Sequence, residues 1–306
     1  MVYIFTSKFN PTVCKTIDWL NFYKVRHKRI NNYFEEFKNI HYFNDFNEKE
    51  DGLNKDFYFF NKITNLNSSK LNSEIHSQLV YEYLFGFFST IENKNKLGNL
   101  VHLNSLSKIR VLLDAKKLKI PIPNSIVTNK KNDLVTFFKN NESVITKPCH
   151  ELLKINIDNV NYRSYTTELG MKEIENLPET FGISLFQQNI IKKCDIKSVY
   201  FNGKFYSQAI FSQRNENTKL DFRHYDFSKM PRLNTFKIPN ELENKIESLL
   251  IKYSLNFAVV DLILDIDDNL YFLEINVDGV FESISIDCNY YIEKKIAEYI
   301  YEQQKN

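Results

Sequence analysis

The Asn202-Gly203 dipeptide is the feature that most restricts how this chain can fold. Between two runs rich in apolar residues, it is the strongest short-range signal for a β-hairpin with a two-residue loop. The runs on either side predict two antiparallel strands, over Asp195–Phe201 and Lys204–Gln213. The C-terminal third should therefore contain an antiparallel sheet.

Pairing across this predicted loop gathers polar side chains on one face of the hairpin. Successive residues of a strand point to opposite faces, so every second residue shares a face. That face then holds three facing pairs: Lys193 with Ser212, Asp195 with Ile210, and Lys197 with Gln208. A face that could have been apolar therefore carries charge.

A second predicted hairpin, Phe257–Asp265 with Leu270–Asn276, concentrates acidic groups. A loop centred on Asp267-Asp268 places Asp261 opposite Glu274, with Asn276 on the same face. Two carboxylates within apolar strands repel each other and resist burial, and a divalent cation removes that penalty. Oxygen ligands alone favour Mg²⁺. The alternative is a solvated acidic face, but the polar residues interrupt an otherwise apolar run, which favours the metal site.

The remaining patterns predict an α/β protein with three domains. A strand over Val2–Thr6, a helix starting at Asn10-Pro11-Thr12 and a strand over Tyr23–Ile30 indicate an open sheet. The other predicted elements are a helix over Ser73–Phe88, a helix capped by Asn104-Ser105 with an apolar face of Leu106, Ile109, Leu112, Leu113 and Ala115, and strands Ser125–Thr128 and Ser143–Lys147 around a helix Asp133–Lys139. We place the domains at 1–100, 101–181 and 182–306.

Composition excludes several classes of protein. The 306 residues carry a net charge of +2 with no basic cluster, so we expect no nucleic-acid partner. No run of about 18 apolar residues predicts a membrane span, and the N-terminus lacks a basic leader. The four cysteines are far apart, which fits a reducing cytoplasm. Gly-rich phosphate loops are also missing from the sequence.

Several segments together resemble the ATP-grasp peptide maturases that make graspetides, in particular the grasp-with-spasm subgroup. These segments are Ile4-Phe5-Thr6 with Thr16–Leu20, Phe186–Ile190 with Lys192–Lys197, Phe211-Ser212-Gln213 with Leu220–Arg223, and the pair Phe257–Leu264 and Tyr271–Gly279. The resemblance covers nearly the whole chain. It implies an ATP-grasp fold with an N-terminal open α/β sheet domain, a central α/β lid domain and a C-terminal mixed or antiparallel sheet domain.

The resemblance also implies roles for individual residues. The implied nucleotide-binding residues are Lys108, Lys147 and the hinge residues Gln187, Gln188, Asn189 and Ile190. The implied catalytic residues are Asp195, Lys197 and Arg223. The implied Mg²⁺ ligands are Asp261, Glu274 and Asn276. Two departures stand out, because the family usually has Arg at the position of Lys197 and an acid and an aromatic residue at Gln188 and Asn189. Taken singly, each lysine is more often solvated, and Arg223 could pair with Asp221 or Asp226.

The implied activity is an ATP- and Mg²⁺-dependent ligation. An Asp or Glu side chain of a ribosomal precursor peptide, with its leader and core, is phosphorylated and joined to a Ser or Thr hydroxyl or a Lys amine. The subgroup favours the ester. Asp195 and His224 are the candidate general bases, and a homodimer is left open. The alternatives are a small-molecule or amino-acid ligase of the same fold and a non-catalytic ATP-binding protein.

Overall fold

A computed structural model describes most of the chain. The described residues are 1–31, 56–61, 86, 89, 91–99, 106–141, 143–148, 154–157, 160–163, 166–214, 230–277 and 279–305. Apart from Gly86, the helix predicted over Ser73–Phe88 lies outside them, and so do Arg223 and His224.

The N-terminal part forms a parallel sheet with strand order β2-β1-β3-β4. Its elements are β1 (Val2–Thr6), α1 (Pro11–Phe22), β2 (His27–Ile30), β3 (Phe57–Asn61) and β4 (Lys96–Leu97). Asn10 caps α1 by accepting a hydrogen bond from the Val13 backbone N–H, as the Asn-Pro-Thr start predicts. The predicted β-α-β opening is confirmed, although β2 begins at His27 instead of Tyr23.

The second sheet has the order β5-β10-β6-β9 and is antiparallel in each of its strand pairs. Its elements are β5 (Ser125–Lys130), α3 (Lys131–Lys139), β6 (Val144–Lys147), β9 (Thr167–Leu169), α4 (Met171–Glu175) and β10 (Thr180–Gln188), with a separate two-stranded ribbon of β7 (Lys154–Ile157) and β8 (Val160–Arg163). Helix α2 (Lys108–Lys117), which precedes this sheet in sequence, is capped by Ser107, and the predicted cap Asn104-Ser105 lies outside the described residues. Its buried face includes Val111, whereas Leu113 is exposed, which corrects the predicted apolar face.

The third sheet has the order β13-β12-β11-β14-β15, with antiparallel pairing throughout. Its elements, with the helices that pack on it, are β11 (Lys192–Phe201), β12 (Lys204–Phe211), β13 (Arg232–Phe236), α5 (Asn240–Lys252), β14 (Phe257–Asp265), β15 (Leu270–Asn276), α6 (Glu282–Asp287) and α7 (Ile292–Gln303). Both predicted hairpins are confirmed. In the first, β11 begins earlier than predicted, at Lys192, and β12 ends earlier, at Phe211, where a 3₁₀ turn begins at Ser212.

The register at the acidic pair is as predicted, but it arises differently. Asp261 pairs with Glu274, whereas nearer the turn Leu262 pairs with Phe272. The strand positions therefore shift by one residue, and Leu273 is the extra residue of a β-bulge. A second bulge, between Lys192 and Cys194 in β11, removes Lys193 from the predicted polar face. The exposed Lys193 instead lies 2.6 Å from Asp268.

Each face of the third sheet is covered by a different apolar cluster. On one face, side chains such as Ile196, Val260 and Phe272 pack with Leu112 of α2 and Leu249 of α5. On the other face, the covering elements are α1, α6, α7 and the first sheet, which pack on Val199, Phe201, Phe257 and Val259. That second cluster covers only one end of the strands, and polar side chains occupy the same face beyond it.

The division between sheets differs from the predicted domain limits. The second sheet extends through Gln188, and the third begins at Lys192, so the strand that begins near residue 182 belongs to the second sheet. Helix α2 falls within the predicted range 101–181 but packs on the third sheet. Within the described part of the chain, none of the helices combines the length and apolar character needed to cross a membrane.

Candidate active site

A continuous row of side chains crosses the third sheet on the face that packs against α1, α6 and α7, at the polar end beyond the apolar cluster. The backbone partners in this row, from β13 to β15, are Thr235, Gln208, Lys197, Asp261 and Glu274. Because paired residues point to the same face, the two acids and Lys197 are neighbours on one surface. The first predicted hairpin gives the Lys197–Gln208 pair and the second gives the Asp261–Glu274 pair. The pairing of β11 with β14 joins the two pairs into one row.

Asn276 brings the two carboxylates together. Its Nδ2 donates to Asp261 Oδ2 at 2.7 Å and lies 3.4 Å from Glu274 Oε1. Asn276 is two residues after Glu274 on β15, so it extends the same face by one position. The three residues predicted as a metal site therefore do converge.

Lys108 reaches the same cluster from outside the sheet. It is the first residue of α2, and its Nζ lies 2.8 Å from Glu274 Oε2. About a fifth of each side chain is exposed, 19% for Lys108 and 20% for Glu274, so solvent and ligands can reach the pair. The sequence assigned these residues to different tasks, and the structure places them in contact.

The donor set at this cluster fits a hard divalent cation. Asp261 and Glu274 supply carboxylate oxygens, and rotation of the Asn276 amide by half a turn would present its carbonyl oxygen between them. Mg²⁺ prefers such ligands and keeps waters or phosphate oxygens in its other positions. Among the described residues, no three His, Cys, Asp or Glu side chains gather at metal-binding distances, and the two carboxylates with the amide are the candidate ligand set here.

A buried ion pair lies next to this row on β11. Lys192 Nζ is 2.8 Å and 2.9 Å from the two carboxylate oxygens of Asp195, and Ser212 Oγ donates to Asp195 Oδ2 at 2.7 Å. The bulge in β11 turns Lys192 inward. Both carboxylate oxygens of Asp195 already accept hydrogen bonds from Lys192 or Ser212, so Asp195 mainly holds this part of β11 in place. Neither Lys192 nor Ser212 was a candidate from the sequence.

The anchor of α2 explains how Lys108 is held over β15. Asp114, fully buried on α2, lies 2.8 Å from Lys252 Nζ and accepts a hydrogen bond from Tyr253 Oη at 2.8 Å. The Lys252 contact and then the Tyr253 bond hold the pKa of the Asp114 carboxyl well below its usual range. Burial and the bond to Asp114 raise the pKa of Tyr253 to about 12. Helix α2 is thus fixed to the end of α5.

The loop after Asn276 is packed closely against the same strands. A Cβ at Gly279 would lie 2.5 Å from the Val259 side chain and 3.3 Å from Asn276 Cβ, so only glycine fits without movement. Beyond it, α6 covers Gln208, whose Nε2 donates to the Ser283 backbone carbonyl at 3.4 Å and whose Oε1 accepts from Ser283 Oγ at 3.2 Å. These contacts hold Asn276 and the middle of the row in place.

The predicted hinge lies where β10 leads into β11. Gln187 is fully buried, and its Nε2 donates to Ser125 Oγ at 2.8 Å, while its buried Oε1 accepts no hydrogen bond from any residue that the structure describes. The backbone N–H groups of Gln188 and Asn189 donate to Asn124 and Ser143 carbonyls. The buried Gln187 side chain therefore helps to fix the conformation of the hinge through its hydrogen bond to Ser125.

Comparison with known proteins identifies the fold. No family model matches the chain, and no curated protein matches it. Solved structures match it end to end. A RiPP-associated ATP-grasp ligase from Chryseobacterium gregarium, in complex with ADP and a leader and core peptide, is 22% identical, with a TM-score of 0.77 over 98% of this chain and 95% of that one. The macrocyclase MdnC of Microcystis aeruginosa MRC, bound with precursor peptide MdnA, is 20% identical, with a TM-score of 0.77 over 98% of both chains.

A third structure, the ATP-grasp ligase PsnB complexed with minimal precursor, Mg and ADP, is 13% identical, with a TM-score of 0.72 over 99% of this chain and 97% of that one. The chain has the ATP-grasp fold. The fold class expected from the sequence is confirmed, and its three parts correspond to the parallel, second and third sheets.

Within the ATP-grasp fold, the structure gathers some of the predicted residues and separates others. Lys108 contacts Glu274, Asn276 contacts both Glu274 and Asp261, and Lys197 is the strand partner of Asp261. The hinge residues from Gln187 to Ile190 lie at the junction of the second and third sheets, and Lys147 ends β6 beside β10. Arg223 lies outside the described residues, so its role stays a prediction.

Proposed function

We propose that this protein is an ATP- and Mg²⁺-dependent ligase that closes rings in a ribosomally made precursor peptide. The main support is the whole-length likeness, at TM-scores of 0.77, to an ATP-grasp ligase solved with a leader and core peptide and to a macrocyclase bound with its precursor peptide. The convergence of Asp261, Glu274 and Asn276 at the polar end of the third sheet adds a site for the metal. A single observation carries the proposal: these three oxygen-bearing side chains lie together, with Lys108 in contact, in a fold that neighbours use for peptide ligation.

The chemistry begins with a carboxylate that cannot acylate a hydroxyl by itself, because its leaving group would be oxide. A carboxylate oxygen of an Asp or Glu side chain attacks the γ-phosphorus of ATP, the bond to the bridging oxygen breaks, and ADP leaves. A Ser or Thr hydroxyl, or a Lys amine, then attacks the acyl carbon and expels phosphate. The nucleophile loses its proton, and the peptide loses one water for each bond formed.

The residues of the site would meet the charge that this reaction develops. Asp261, Glu274 and Asn276 would hold Mg²⁺, which offsets negative charge on the phosphates when bound. Lys108 and Lys147 would contact phosphate oxygens, and Lys197 lies one strand from Asp261 at the same row. Arg223 would neutralise the transferring phosphoryl group. The Lys192–Asp195 pair fixes the start of β11 just after the hinge, so we assign Asp195 a positioning role in this scheme.

We further propose an ester as the product and the cytoplasm as the compartment. The ester follows the subgroup that the sequence resembles, and the amide remains the other outcome. Cys14, Cys194 and Cys288 are free thiols, which suits a reducing compartment. The homodimer, and the expectation that no nucleic acid binds, stay predictions.

Intact-mass spectrometry tests the proposal. A precursor peptide with Thr and Asp residues in its core is incubated with the protein, ATP and Mg²⁺. We expect successive losses of one water per ring, and no loss with Glu274→Gln. Glu302→Gln, which makes the same charge change at an exposed position of α7, should behave as the wild type.

Two other results would contradict the proposal. ADP release with free amino acids, without any change in peptide mass, would establish a small-molecule ligase instead. Nucleotide binding without turnover, in the presence of every precursor tried, would establish a non-catalytic ATP-binding protein.

A further inference from the structure

Glu274 is held by two N–H donors at once. Lys108 Nζ lies 2.8 Å from Oε2, and Asn276 Nδ2 lies 3.4 Å from Oε1. Asn276 also donates to Asp261 Oδ2 at 2.7 Å. Glu274 is therefore already paired with an ammonium, and Asp261 accepts an amide hydrogen bond at one of its two oxygens.

An ammonium and a divalent cation compete for the same carboxylate. A divalent ion held by the Glu274 carboxylate would lie close to the Lys108 ammonium, which is 2.8 Å from Oε2, and the two positive charges would repel each other. The pair is only about a fifth exposed, so water screens this repulsion less than at a fully open surface. A cation that enters the site is therefore opposed by Lys108 for as long as the ammonium stays on Glu274.

The formal charges of the row also cancel. Asp261 and Glu274 each carry one negative charge, Lys108 contacts Glu274, and Lys197 is the strand partner of Asp261. A bare divalent ion thus meets little net attraction. A nucleotide changes this balance, because its phosphates offer the lysine ammonium a second anion.

The length of the Lys108 side chain permits such an exchange without moving the helix. Lys108 starts α2, and the Asp114 contacts to Lys252 and Tyr253 fix that helix on α5. Four methylene groups let the ammonium swing while the Cα stays in place.

We propose that Lys108 closes the cation site against free metal and opens it when nucleotide binds, so that metal and nucleotide enter together. This inference rests on the proposed function for its nucleotide. In it, Lys108 is a positioning residue that acts through Glu274, in addition to its predicted phosphate contact. By linkage, nucleotide and metal each raise the affinity of the other by the same factor.

The test is the binding of Mn²⁺ to the full-length protein without nucleotide, measured from the electron paramagnetic resonance signal of free Mn²⁺. Lys108→Met should bind Mn²⁺ about tenfold more tightly than the wild type, within the usual range of coupling between two ligands. The same variant should bind ADP more weakly. Damage to the fold would weaken the binding of both Mn²⁺ and ADP. Tighter Mn²⁺ binding together with weaker ADP binding therefore distinguishes this role from a structural one.

Three controls complete the design. Lys116→Met makes the same charge change on the exposed side of α2 and should leave Mn²⁺ binding unchanged. Lys108→Arg keeps a cation beside Glu274 and should keep Mn²⁺ binding weak. Adding Glu274→Gln to Lys108→Met should remove the gain, because the released carboxylate is then lost.

Unchanged, weaker or undetectable Mn²⁺ binding by Lys108→Met would overturn the inference. The ring-forming assay decides the proposed function separately: water loss from the peptide with no gain in Mn²⁺ affinity would reject only the role of Lys108.

Discussion

Lys192 and Asp195 form an ion pair inside the third sheet, with Lys192 Nζ at 2.8 Å and 2.9 Å from the two carboxylate oxygens and only 6% and 9% of the side chains exposed. Removing one partner of a buried pair leaves a charge that the interior cannot solvate. Replacing both with apolar groups removes that charge altogether.

We therefore expect Lys192→Met to lower the free energy of unfolding by about 3–5 kcal/mol. The double variant Lys192→Met/Asp195→Leu should regain a large part of that loss. Urea unfolding followed by circular dichroism measures both. Equal stability of the single and double variants would show that the pair is not isolated from solvent.

Because Gly279 has no side chain, the loop that follows Asn276 packs closely against Val259 and Asn276. In Gly279→Ala, the new Cβ would lie 2.5 Å from Val259 and 3.3 Å from Asn276 Cβ, so the loop or the strand must shift. We expect a lower melting temperature and weaker Mn²⁺ binding in the presence of ADP. Gly182→Ala is the matched control, since nothing lies within 4 Å of its Cβ. Wild-type behaviour of Gly279→Ala would mean that the loop after Asn276 adapts freely.

Asp114 should make the stability of the protein sensitive to acid. Its pKa is lowered by Lys252 first and then by Tyr253, so the folded state favours the ionised form. The stabilisation is present above the unfolded pKa of about 4 and is lost as the pH falls through the lowered pKa. Urea midpoints measured from pH 7 down to pH 3 should fall less steeply in Asp114→Asn than in the wild type. Asp18→Asn, at an exposed position of α1, should follow the wild type.

Cysteine reactivity should differ sharply along the chain. Cys14 is exposed, whereas Cys194 is buried, and that burial together with Asp195 raises the pKa of its thiol to about 11. Because the thiolate is the reactive form, iodoacetamide at pH 8 should modify Cys14 and leave Cys194 intact. Peptide mapping by mass spectrometry reads the result, with a sample in urea as the positive control. Equal labelling of both cysteines in the folded protein would contradict the burial of β11.

The hairpins were predictable because their signals are local. Asn202-Gly203 fixes a turn, and Asp261 and Glu274 interrupt apolar runs at matching distances from the second turn. The capped start of α1 at Asn10 is equally local. Such features depend on residues close to one another in sequence, so they can be predicted from a single amino-acid sequence.

The Lys192–Asp195 pair could not be predicted in the same way, because it depends on a bulge. Strict alternation places Lys193 beside Asp195, and the irregular pairing of β11 with β14 exchanges it for Lys192. The Lys108–Glu274 contact could not be predicted from local sequence either. The two residues lie 166 positions apart, and the packing of α2 on the third sheet brings them together. The signal that could have pointed to Lys192 is its place in a Lys-Lys pair before a buried strand.

The bulge at Leu273 separates the tip of the second hairpin from its acidic end. Asp265 closes the tip through its own hydrogen bonds, accepting from the backbone N–H groups of Asp267 and Asn269 at 2.9 Å and 2.7 Å. Beyond the bulge, Asp261 pairs with Glu274 in a register one residue out of step with that of the tip. An insertion or deletion of one residue at the tip therefore acts first on the side of the bulge away from Asp261 and Glu274, the predicted metal ligands. The tip is the natural place to insert a label or an affinity tag.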